Sequence, residues 1–273
     1  MKSLTRITVT LLISICIAAI LGAGAFIACY CFSYYQGSYI YENLQELAIE
    51  PQSDELLGSP PDDSFTSNPV IDFDSLHTIN PDIVGWIYVP DTRINYPIVK
   101  RLNDNDYYLS HLFDGTVNKS GSIFLDTRCC LDDQHILIHG HNMGNGSMFR
   151  DLELFKNKEF FLAHPYYLIF TPDVTYVVEI FAGSVNRIDS SIWKINFQNM
   201  TDYNNWLTTC SERAAVDRPL QISSPTQVIS LSTCSYEYSQ ARWLLQGIPR
   251  NANEVSSDIY QELLHSFLSI KSN

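Results

Sequence analysis

The sequence predicts a mainly β domain with helical additions, preceded by a single transmembrane helix. Two observations lead to this expectation. About 26 positions near the amino terminus, from Ile7 to Phe32, contain no charged residue. Beyond them lie eight short strand-like segments, most of them separated by turns, which is typical of a sandwich or a closed barrel. The 16 Tyr and 14 Phe residues agree with a β-rich fold, because aromatic side chains favour strands.

The apolar segment is long enough to cross a bilayer, since a helix needs about 20 residues to do so. A cleaved signal peptide would have a shorter apolar core and a small-residue cleavage site, for which Ala23-Gly24-Ala25 is a weak match. We therefore favour an uncleaved signal-anchor over residues 7–32. Lys2 and Arg6 precede it, so the positive-inside rule places residues 1–6 in the cytoplasm. The predicted location is the cell membrane, with one span and the folded domain outside the cell.

Residues 33–70 are expected to connect the anchor to the folded domain. A juxtamembrane helix is predicted from Tyr34 to Ile49. The stretch from Pro51 to Pro69 is rich in turn formers and acidic residues, and it lacks the apolar surface needed to order itself. It is predicted to be a flexible acidic spacer.

The folded domain is expected over residues 71–250, and residues 251–273 are expected to form a carboxy-terminal helix that packs on it. Further helices are predicted through Phe73, Leu76 and Ile79, at Ser147–Phe161 and at Thr201–Ala215. In the last segment one helical face carries the apolar residues Val255, Ile259, Leu263, Phe267 and Ile270. The predicted strands are Gly85–Val89, Asn95–Val99, Ser122–Leu125, Ile136–His139, Tyr166–Phe170, Thr175–Val185, Val228–Cys234 and Trp243–Ile248.

The charge balance limits the classes of partner. The whole chain has a net charge of −13. Without Lys2 and Arg6, 15 basic residues remain against 30 acidic ones, so the part beyond the anchor carries about −15. So acidic a surface argues against binding nucleic acid or anionic lipid.

Cysteine usage does not indicate a disulfide scaffold. Three of the seven cysteines lie in the apolar anchor. Four remain in more than two hundred residues, which is too few for a disulfide framework: Cys129, Cys130, Cys210 and Cys234.

Cys234 is the most informative of the four. It ends a predicted buried strand, and Arg242 opens the next strand eight residues later. Both side chains should therefore emerge at the same end of one sheet. A cation beside a thiol favours the nucleophilic thiolate, and a guanidinium can also stabilise a developing oxyanion.

The partner histidine is expected in the segment Ile136–Phe149, where His139 and His141 follow a predicted strand. Strand ends and loops present reactive groups on a rigid sheet. Three interpretations remain open at this point: nucleophilic catalysis with Cys234, a metal site with His135 as a third ligand, and a purely structural pair. No convincing fourth metal ligand is nearby, and we expect neither a metal nor another cofactor.

Several motifs in order make a family resemblance specific. Gly140-His141-Asn142-Met143, the strand ending at Cys234, and Arg242 resemble the active-site signature of the sortases, and class B in particular. The similarity runs from about Phe73 to about Pro249. Further matching motifs are Asp82–Ile87, Asn95–Val99, Tyr107–Leu109, Gly121–Asp126, Gly146–Phe149 and His164-Pro165.

The resemblance implies an eight-stranded β-barrel with a helical amino-terminal extension and a helix-bearing insertion, here Asn186–Thr226. It also implies roles for three residues. Cys234 is the expected nucleophile, His141 the general acid and base, and Arg242 the residue that orients the peptide and stabilises the oxyanion. His139 stands where relatives often carry an aromatic residue. Ser232 and Thr233 are candidate substrate-binding residues.

The implied activity is cysteine transpeptidation. Cys234 would attack a Thr carbonyl in the carboxy-terminal sorting motif of a surface protein, and the resulting thioester would be resolved by an amine. The expected acceptor is a peptidoglycan precursor, which attaches the surface protein to the cell wall. The alternatives are a pilin polymerase that uses a lysine amine, a zinc hydrolase, and a non-catalytic surface-binding module.

Overall fold

The computed structural model of the protein describes residues 2–49, 71–219 and 226–269, so the predicted spacer lies outside the described residues. The chain forms two compact units, Met1–Ile40 and Tyr41–Asn273. The first helix, α1, is continuous from Lys2 to Ala48. The predicted anchor and juxtamembrane helix are thus one element. From Thr10 onward, α1 is a candidate membrane span by its length and composition.

The last turns of α1 belong to the second compact unit rather than to a free juxtamembrane segment. Tyr41, Leu44 and Ala48 recur at helical spacing and are all buried. The Tyr41 hydroxyl donates a hydrogen bond of 2.7 Å to the carbonyl oxygen of Gly121. An amphipathic part of α1 therefore packs on the β domain before residue 71, where the sequence analysis expects the folded domain to begin.

The eight predicted strands are all present in the described part of the chain, with a short ninth strand in the predicted insertion. Most bounds agree within two or three residues. The strands are β1 (Ile83–Tyr88), β2 (Asn95–Val99), β3 (Ile123–Leu125), β4 (His135–His139), β5 (Tyr166–Phe170), β6 (Thr175–Arg187), β7 (Val216–Asp217), β8 (Val228–Cys234) and β9 (Ala241–Asn251).

The sheet closes into a barrel. Eight strands follow the order β5, β1, β2, β3, β4, β8, β9, β6, and pairing between β5 and β6 completes the ring. The predicted eight-stranded barrel is confirmed, and the sandwich is set aside. The pairs β2–β3 and β4–β8 are parallel, whereas the other neighbours in this ring are antiparallel. Apolar side chains from several strands surround a small interior cavity, among them Ile98, Leu125, Ile136, Ile138 and Ile229.

The described helices after α1 are α2 (Phe73–Ile79), α3 (Lys158–Ala163), α4 (Met200–Glu212) and α5 (Ser257–Ser269). The single helix predicted over Ser147–Phe161 is wrong. A 3₁₀ helix spans Arg150–Lys156, and α3 follows it. Asn157 separates the two, because its extended backbone interrupts the turn while its side chain accepts hydrogen bonds from two amides at the start of α3.

Helix α5 packs on the barrel as predicted. Leu263 and Phe267 are buried. The Phe267 ring lies 5.1 Å from that of Tyr88 and 4.9 Å from that of Phe170, between ring centroids. Aromatic contacts at these separations add to the stabilisation from apolar burial. Ile270, which the sequence placed on the same face, lies outside the described residues.

A buried polar cluster fixes the insertion helix α4 against the sheet. His135 is fully buried beside Trp206, with 4.3 Å between ring centroids. Its Nδ1 donates to the Lys194 carbonyl oxygen at 2.7 Å, so its Nε2 accepts from the Ser230 hydroxyl at 2.8 Å. Burial lowers the pKa of His135 to about 4. The imidazole is therefore neutral at pH 7.

We predict that acid weakens this packing. Because the folded-state pKa of about 4 lies below the usual 6.5, the unfolded chain binds the proton more strongly. The stabilisation is present above pH 6.5 and is lost as the pH falls toward 4. The difference amounts to about 3 kcal/mol of unfolding free energy. Denaturant unfolding of the purified protein between pH 7 and pH 4 measures it.

The control is His77, which is exposed on α2. His135→Gln should flatten the pH dependence between pH 6.5 and 4, although it also lowers stability at pH 7. His77→Gln should keep the wild-type slope. An unchanged slope in His135→Gln would contradict the assignment.

Candidate active site

The predicted site lies on one face of the barrel, where side chains alternate along two neighbouring strands. Residues directly opposite one another in a sheet share a face. The β8–β9 register therefore places three pairs on this face, namely Ser230 with Gln246, Ser232 with Leu244 and Cys234 with Arg242. Helix α4 covers the first pair, since the Gln246 amide donates to both Ser230 and Cys210. Cys234 and Arg242 are partly exposed at the other end.

Cys234 and Arg242 form the last cross-strand pair of the hairpin. The Ser235 amide donates to the Ala241 carbonyl oxygen at 3.0 Å. The Cys234–Arg242 pair, one residue further from the loop, is therefore a non-hydrogen-bonded pair, in which facing side chains lie closest. The Arg242 Nη1 donates to the Ala241 carbonyl oxygen at 3.0 Å. Among the described residues, no carboxylate forms an ion pair with Arg242. Among the described residues, the register thus places a permanent cation without a carboxylate partner at the strand position opposite Cys234.

Two of the other three thiols beyond α1 are poorly suited to nucleophilic attack. Cys129 and Cys210 are buried, and burial raises the pKa of each to about 12. Neither is a thiolate at neutral pH, and the thiolate is the nucleophilic form. Cys130 is exposed and its Sγ lies 3.7 Å from the Lys100 ammonium, so a cation is close to it as well, but it lies outside the β8–β9 hairpin. Cys234 alone of the four combines partial exposure with a strand-end position opposite an arginine.

The parallel pairing of β4 with β8 brings the segment that contains His141 alongside the end of β8. The last registered pair is His139 with Ser232. If the same register is continued for two residues beyond the end of β4, His141 aligns with Cys234. The chains stay in contact over this interval: the Gly140 amide donates to the Ser232 carbonyl oxygen at 3.1 Å, and the Thr233 hydroxyl donates to the Gly140 carbonyl oxygen at 2.8 Å.

Gly140 is required by this close passage. A Cβ atom at Gly140 would lie 2.4 Å from the Ile123 side chain and 2.7 Å from the Phe149 ring. The absent side chain lets both residues pack against the backbone. The backbone that carries His141 is thereby fixed from two sides.

Asn142 joins the two segments directly. The residue belongs to the sequence motif around His141, but the motif does not predict this contact. Its Nδ2 donates to the Cys234 carbonyl oxygen at 2.8 Å. Its Oδ1 accepts from the Arg150 guanidinium at 2.9 Å. The amide orientation is therefore set by a cation on one side and by the main chain of the Cys234 residue on the other.

The His141 ring is oriented by a main-chain group. Its Nε2 lies 2.8 Å from the Leu109 carbonyl oxygen. A carbonyl can only accept, so Nε2 carries the proton in this arrangement. Sequence analysis could not predict this contact, because a carbonyl oxygen is the same at every residue and only the fold brings it near a given side chain.

His139 has a separate partner. Its Nε2 lies 3.1 Å from Oδ2 of Asp126, which is also held by Arg128 at 2.8 Å. Burial acts to raise the pKa of the Asp126 carboxyl, but the hydrogen bonds from Arg128 and His139 outweigh it and keep that pKa well below its usual range. The carboxylate is therefore ionised and occupied.

The three histidines do not converge on one point. His135 faces Ser230 and Lys194, His139 faces Asp126, and His141 faces Leu109. Within residues 2–49, 71–219 and 226–269, no group of three or more His, Cys, Asp or Glu side chains is arranged to hold a metal ion. The zinc interpretation has no support from this arrangement.

The two candidate substrate-binding residues are both buried. Ser232 lies on the same face as Cys234, one pair further inward. The Thr233 side chain points to the other face and its hydroxyl is engaged with Gly140. Trp206 and Trp243 are also buried.

Comparison with known proteins agrees with this arrangement, although no protein-family model matches the sequence. Sortase B of Listeria monocytogenes is 36% identical over 176 residues, which cover 63% of this chain and 71% of that protein. The crystal structure of Clostridium perfringens sortase B has a TM-score of 0.62 at 34% identity, over 65% of this chain and 99% of the other. A Staphylococcus aureus sortase B–substrate complex has a TM-score of 0.69 at 25% identity, over 81% and 99%. The chain therefore belongs to the class B sortases and is a sortase-type cysteine transpeptidase.

Proposed function

We propose that the protein is a membrane-anchored transpeptidase that joins the sorting motif of a surface protein to an amine of the cell wall. The observation that carries the proposal is the juxtaposition of Cys234 and Arg242 at the loop end of a hairpin, with the His141 segment hydrogen-bonded alongside. Family membership favours this enzyme over a non-catalytic surface-binding module. The substrate complex of the Staphylococcus aureus relative supports a peptide substrate.

The first half-reaction follows from the chemistry of these groups. The Cys234 thiolate attacks the carbonyl carbon of Thr in the sorting motif, and the developing oxyanion is stabilised by the Arg242 guanidinium. The tetrahedral intermediate collapses as the C–N bond breaks. His141 in its protonated form donates a proton to the departing amine, which leaves a thioester on Cys234.

The second half-reaction reverses these roles. Neutral His141 removes a proton from the incoming amine, which attacks the thioester carbonyl. The C–S bond breaks and Cys234 is regenerated as a thiolate. The acceptor is an amine of a peptidoglycan precursor. A pilin lysine is the second candidate acceptor, and both contain the same nucleophilic group.

The geometry supports His141 over His139 for the acid–base role. His141 is level with Cys234 in the extended β4–β8 register, whereas His139 is opposite Ser232. The His139 ring is also paired with an ionised carboxylate, that of Asp126.

Cys234→Ala should abolish thioester formation. Peptides from the carboxy-terminal sorting segments of surface proteins encoded in the same genome are incubated with the purified enzyme, and intact-mass spectrometry detects the acyl adduct. The matched control is Cys130→Ala, which removes an exposed thiol outside the site. If the Cys234→Ala enzyme cleaves these peptides as fast as the wild type, the proposal is wrong.

His141→Gln should lower the acylation rate by about 10²–10⁴-fold, the range expected for loss of a general acid. His139→Gln is the matched comparison, and it should keep most of the activity once thermal stability has been checked. The reverse ranking of the two variants would move the acid–base role to His139.

Arg242→Lys should lower the acylation rate by about 10²–10³-fold, because an ammonium does not reproduce the forked geometry of a guanidinium at an oxyanion. The control is Arg250→Lys on the same strand, where the guanidinium pairs with Glu179. Equal losses in both variants would show that the effect on strand β9 is general.

Thiol labelling tests the proposed topology. In intact cells that carry the Cys234→Ala variant, a membrane-impermeant maleimide should label Cys130, because the thiol is exposed and the proposed topology puts its domain outside the cell. Cys130→Ser in the same background should remove the label. Labelling that appears only after the cells are lysed would place the domain in the cytoplasm.

The acceptor is identified by the fate of the surface proteins. In a strain without this gene, substrate proteins should disappear from the cell-wall fraction and accumulate in the membrane or the medium. If surface proteins remain in the wall and polymers joined through lysine are lost instead, the acceptor is a pilin amine.

A further inference from the structure

The loop that follows the nucleophile is fastened by a lysine outside the predicted site. Residues 235–240 connect Cys234 to Arg242. Lys156, at the end of the 3₁₀ helix, places its ammonium 2.8 Å from the Ser235 hydroxyl and 2.7 Å from a carboxylate oxygen of Glu237. The Ser235 hydroxyl also donates to the other Glu237 oxygen. One cation thus holds two loop residues that are directly beyond the nucleophile.

The ammonium of Lys156 is fully engaged. Its third contact is with the Glu153 carboxylate at 3.1 Å, one turn earlier in the 3₁₀ helix. Its side chain is 27% exposed, and its nitrogen lies 5.6 Å from the centre of the buried Trp243 ring. An ammonium has three donors, so the three oxygen contacts use all of them. A long side chain with all donors occupied and a packed stem is a defined contact and not a mobile surface group.

Glu237 is ionised under ordinary conditions. Burial acts to raise its pKa, but the hydrogen bonds from Lys156 and Ser235 outweigh burial and lower the pKa to about 2. The loop therefore carries a full negative charge close to Arg242 along the chain. Lys156 neutralises this charge locally, which leaves the guanidinium without a competing carboxylate.

The same 3₁₀ helix also reaches the other side of the nucleophile. Arg150, at its start, donates to the Asn142 side chain, and Asn142 in turn donates to the Cys234 carbonyl oxygen. Arg150 and Lys156 both contact Glu153, which lies between them. A continuous series of polar contacts therefore connects the Cys234 carbonyl to the Ser235 hydroxyl. Its members are Asn142, Arg150, Glu153 and Lys156.

We infer that Lys156, paired with Glu237, is a positioning residue that fixes the nucleophile hairpin for transpeptidation. The inference rests on the proposed chemistry at Cys234 and deepens it. Nucleophilic attack requires the thiolate, the guanidinium and the carbonyl carbon to be aligned within a fraction of an ångström. Lys156 touches neither substrate nor thiol in this arrangement, and it acts through the loop that sets the relative placement of Cys234 and Arg242.

Lys156→Met is the main test. It removes the donors but keeps an unbranched side chain of similar length. We expect kcat for cleavage of a sorting-motif peptide that acylates the wild type to fall about tenfold, with KM changed by less than about twofold. Lys156→Arg should restore most of the rate, because a guanidinium can still donate to both loop residues.

Lys158→Met is the matched control, since Lys158 is exposed two residues away and forms no ion pair among the described residues. Its kinetics should match those of the wild type. Glu237→Gln should lower kcat by a smaller factor. The double variant Lys156→Met/Glu237→Gln should be no worse than Lys156→Met alone, because the two residues act through one contact.

Hydrogen exchange gives a readout that needs no peptide. The amides of Ser235 and Ala241 are the hydrogen-bonded amides at the two ends of the loop. Lys156→Met should accelerate their exchange about tenfold, while exchange in β1 and β5 stays at the wild-type rate. Lys158→Met should change neither region.

Three outcomes overturn the inference: unchanged loop exchange in Lys156→Met, a loss of kcat that is equal in Lys158→Met, or a loss that Lys156→Arg does not rescue. If no sorting peptide acylates the wild type, the proposed function fails and the exchange experiment still decides whether Lys156 holds the loop. Faster exchange confined to the loop, together with a rescued kcat, supports the inference.

Discussion

The parallel pairing of β4 with β8 is the constraint on which the site depends. It is one of only two parallel contacts in the described barrel. It sets which residues of two distant segments meet where β4 and β8 end. A shift of one residue in this register would turn every side chain of β4 to the opposite face. His139 and His141 would then face the apolar interior, and the buried contact between His135 and Ser230 would be lost. The barrel core and the site therefore select the same register.

Within the described residues, charge around the nucleophile is arranged so that one cation, Arg242, has no carboxylate partner. Two carboxylates and two cations of the 3₁₀ helix and of the loop after β8 compensate one another: Glu153 and Glu237 with Arg150 and Lys156. Asp126, on the histidine side, is satisfied by Arg128 and His139. Arg242, opposite Cys234, keeps an uncompensated positive charge among the described residues, although the chain as a whole is strongly acidic. Local pairing, and not the overall charge, thus determines the electrostatics of the site.

Much of the barrel could be predicted from the sequence, because each strand carries a short apolar pattern bounded by turn residues. Cys234 and Arg242 were predictable for a related reason, since both flank a single hairpin and local spacing fixes their relation. The prediction failed where tertiary contacts decide. Apolar residues in Ser147–Phe161 have a helical spacing, but Asn157 divides the segment through its own side-chain hydrogen bonds. The last turns of α1 were assigned to a linker because the surface that buries them comes from later in the chain.

The contacts that complete the site were beyond the sequence for the same reason. The Leu109 carbonyl has no side-chain signature, and Asn142 and Lys156 act on partners about 80 to 90 residues away. Sequence spacing indicates which residues share an element, but it does not indicate which loops meet in space. Glu237 illustrates the limit, because its role depends on a cation from a different part of the chain.

The hairpin that carries Cys234 and Arg242 has a further consequence for how the site comes apart. These two residues are eight positions apart in the sequence, so their pairing closes a short loop. Asn142 and Cys234 are 92 positions apart, so their contact closes a much longer one. Loop-closure entropy grows with the logarithm of length, so the longer closure costs about 2 kcal/mol more. Partial unfolding should therefore separate the histidine segment from the thiol before it separates the thiol from the arginine. A partly opened molecule keeps its nucleophile and cation together but lacks the group that transfers protons, so activity is expected to be lost while the hairpin is still formed.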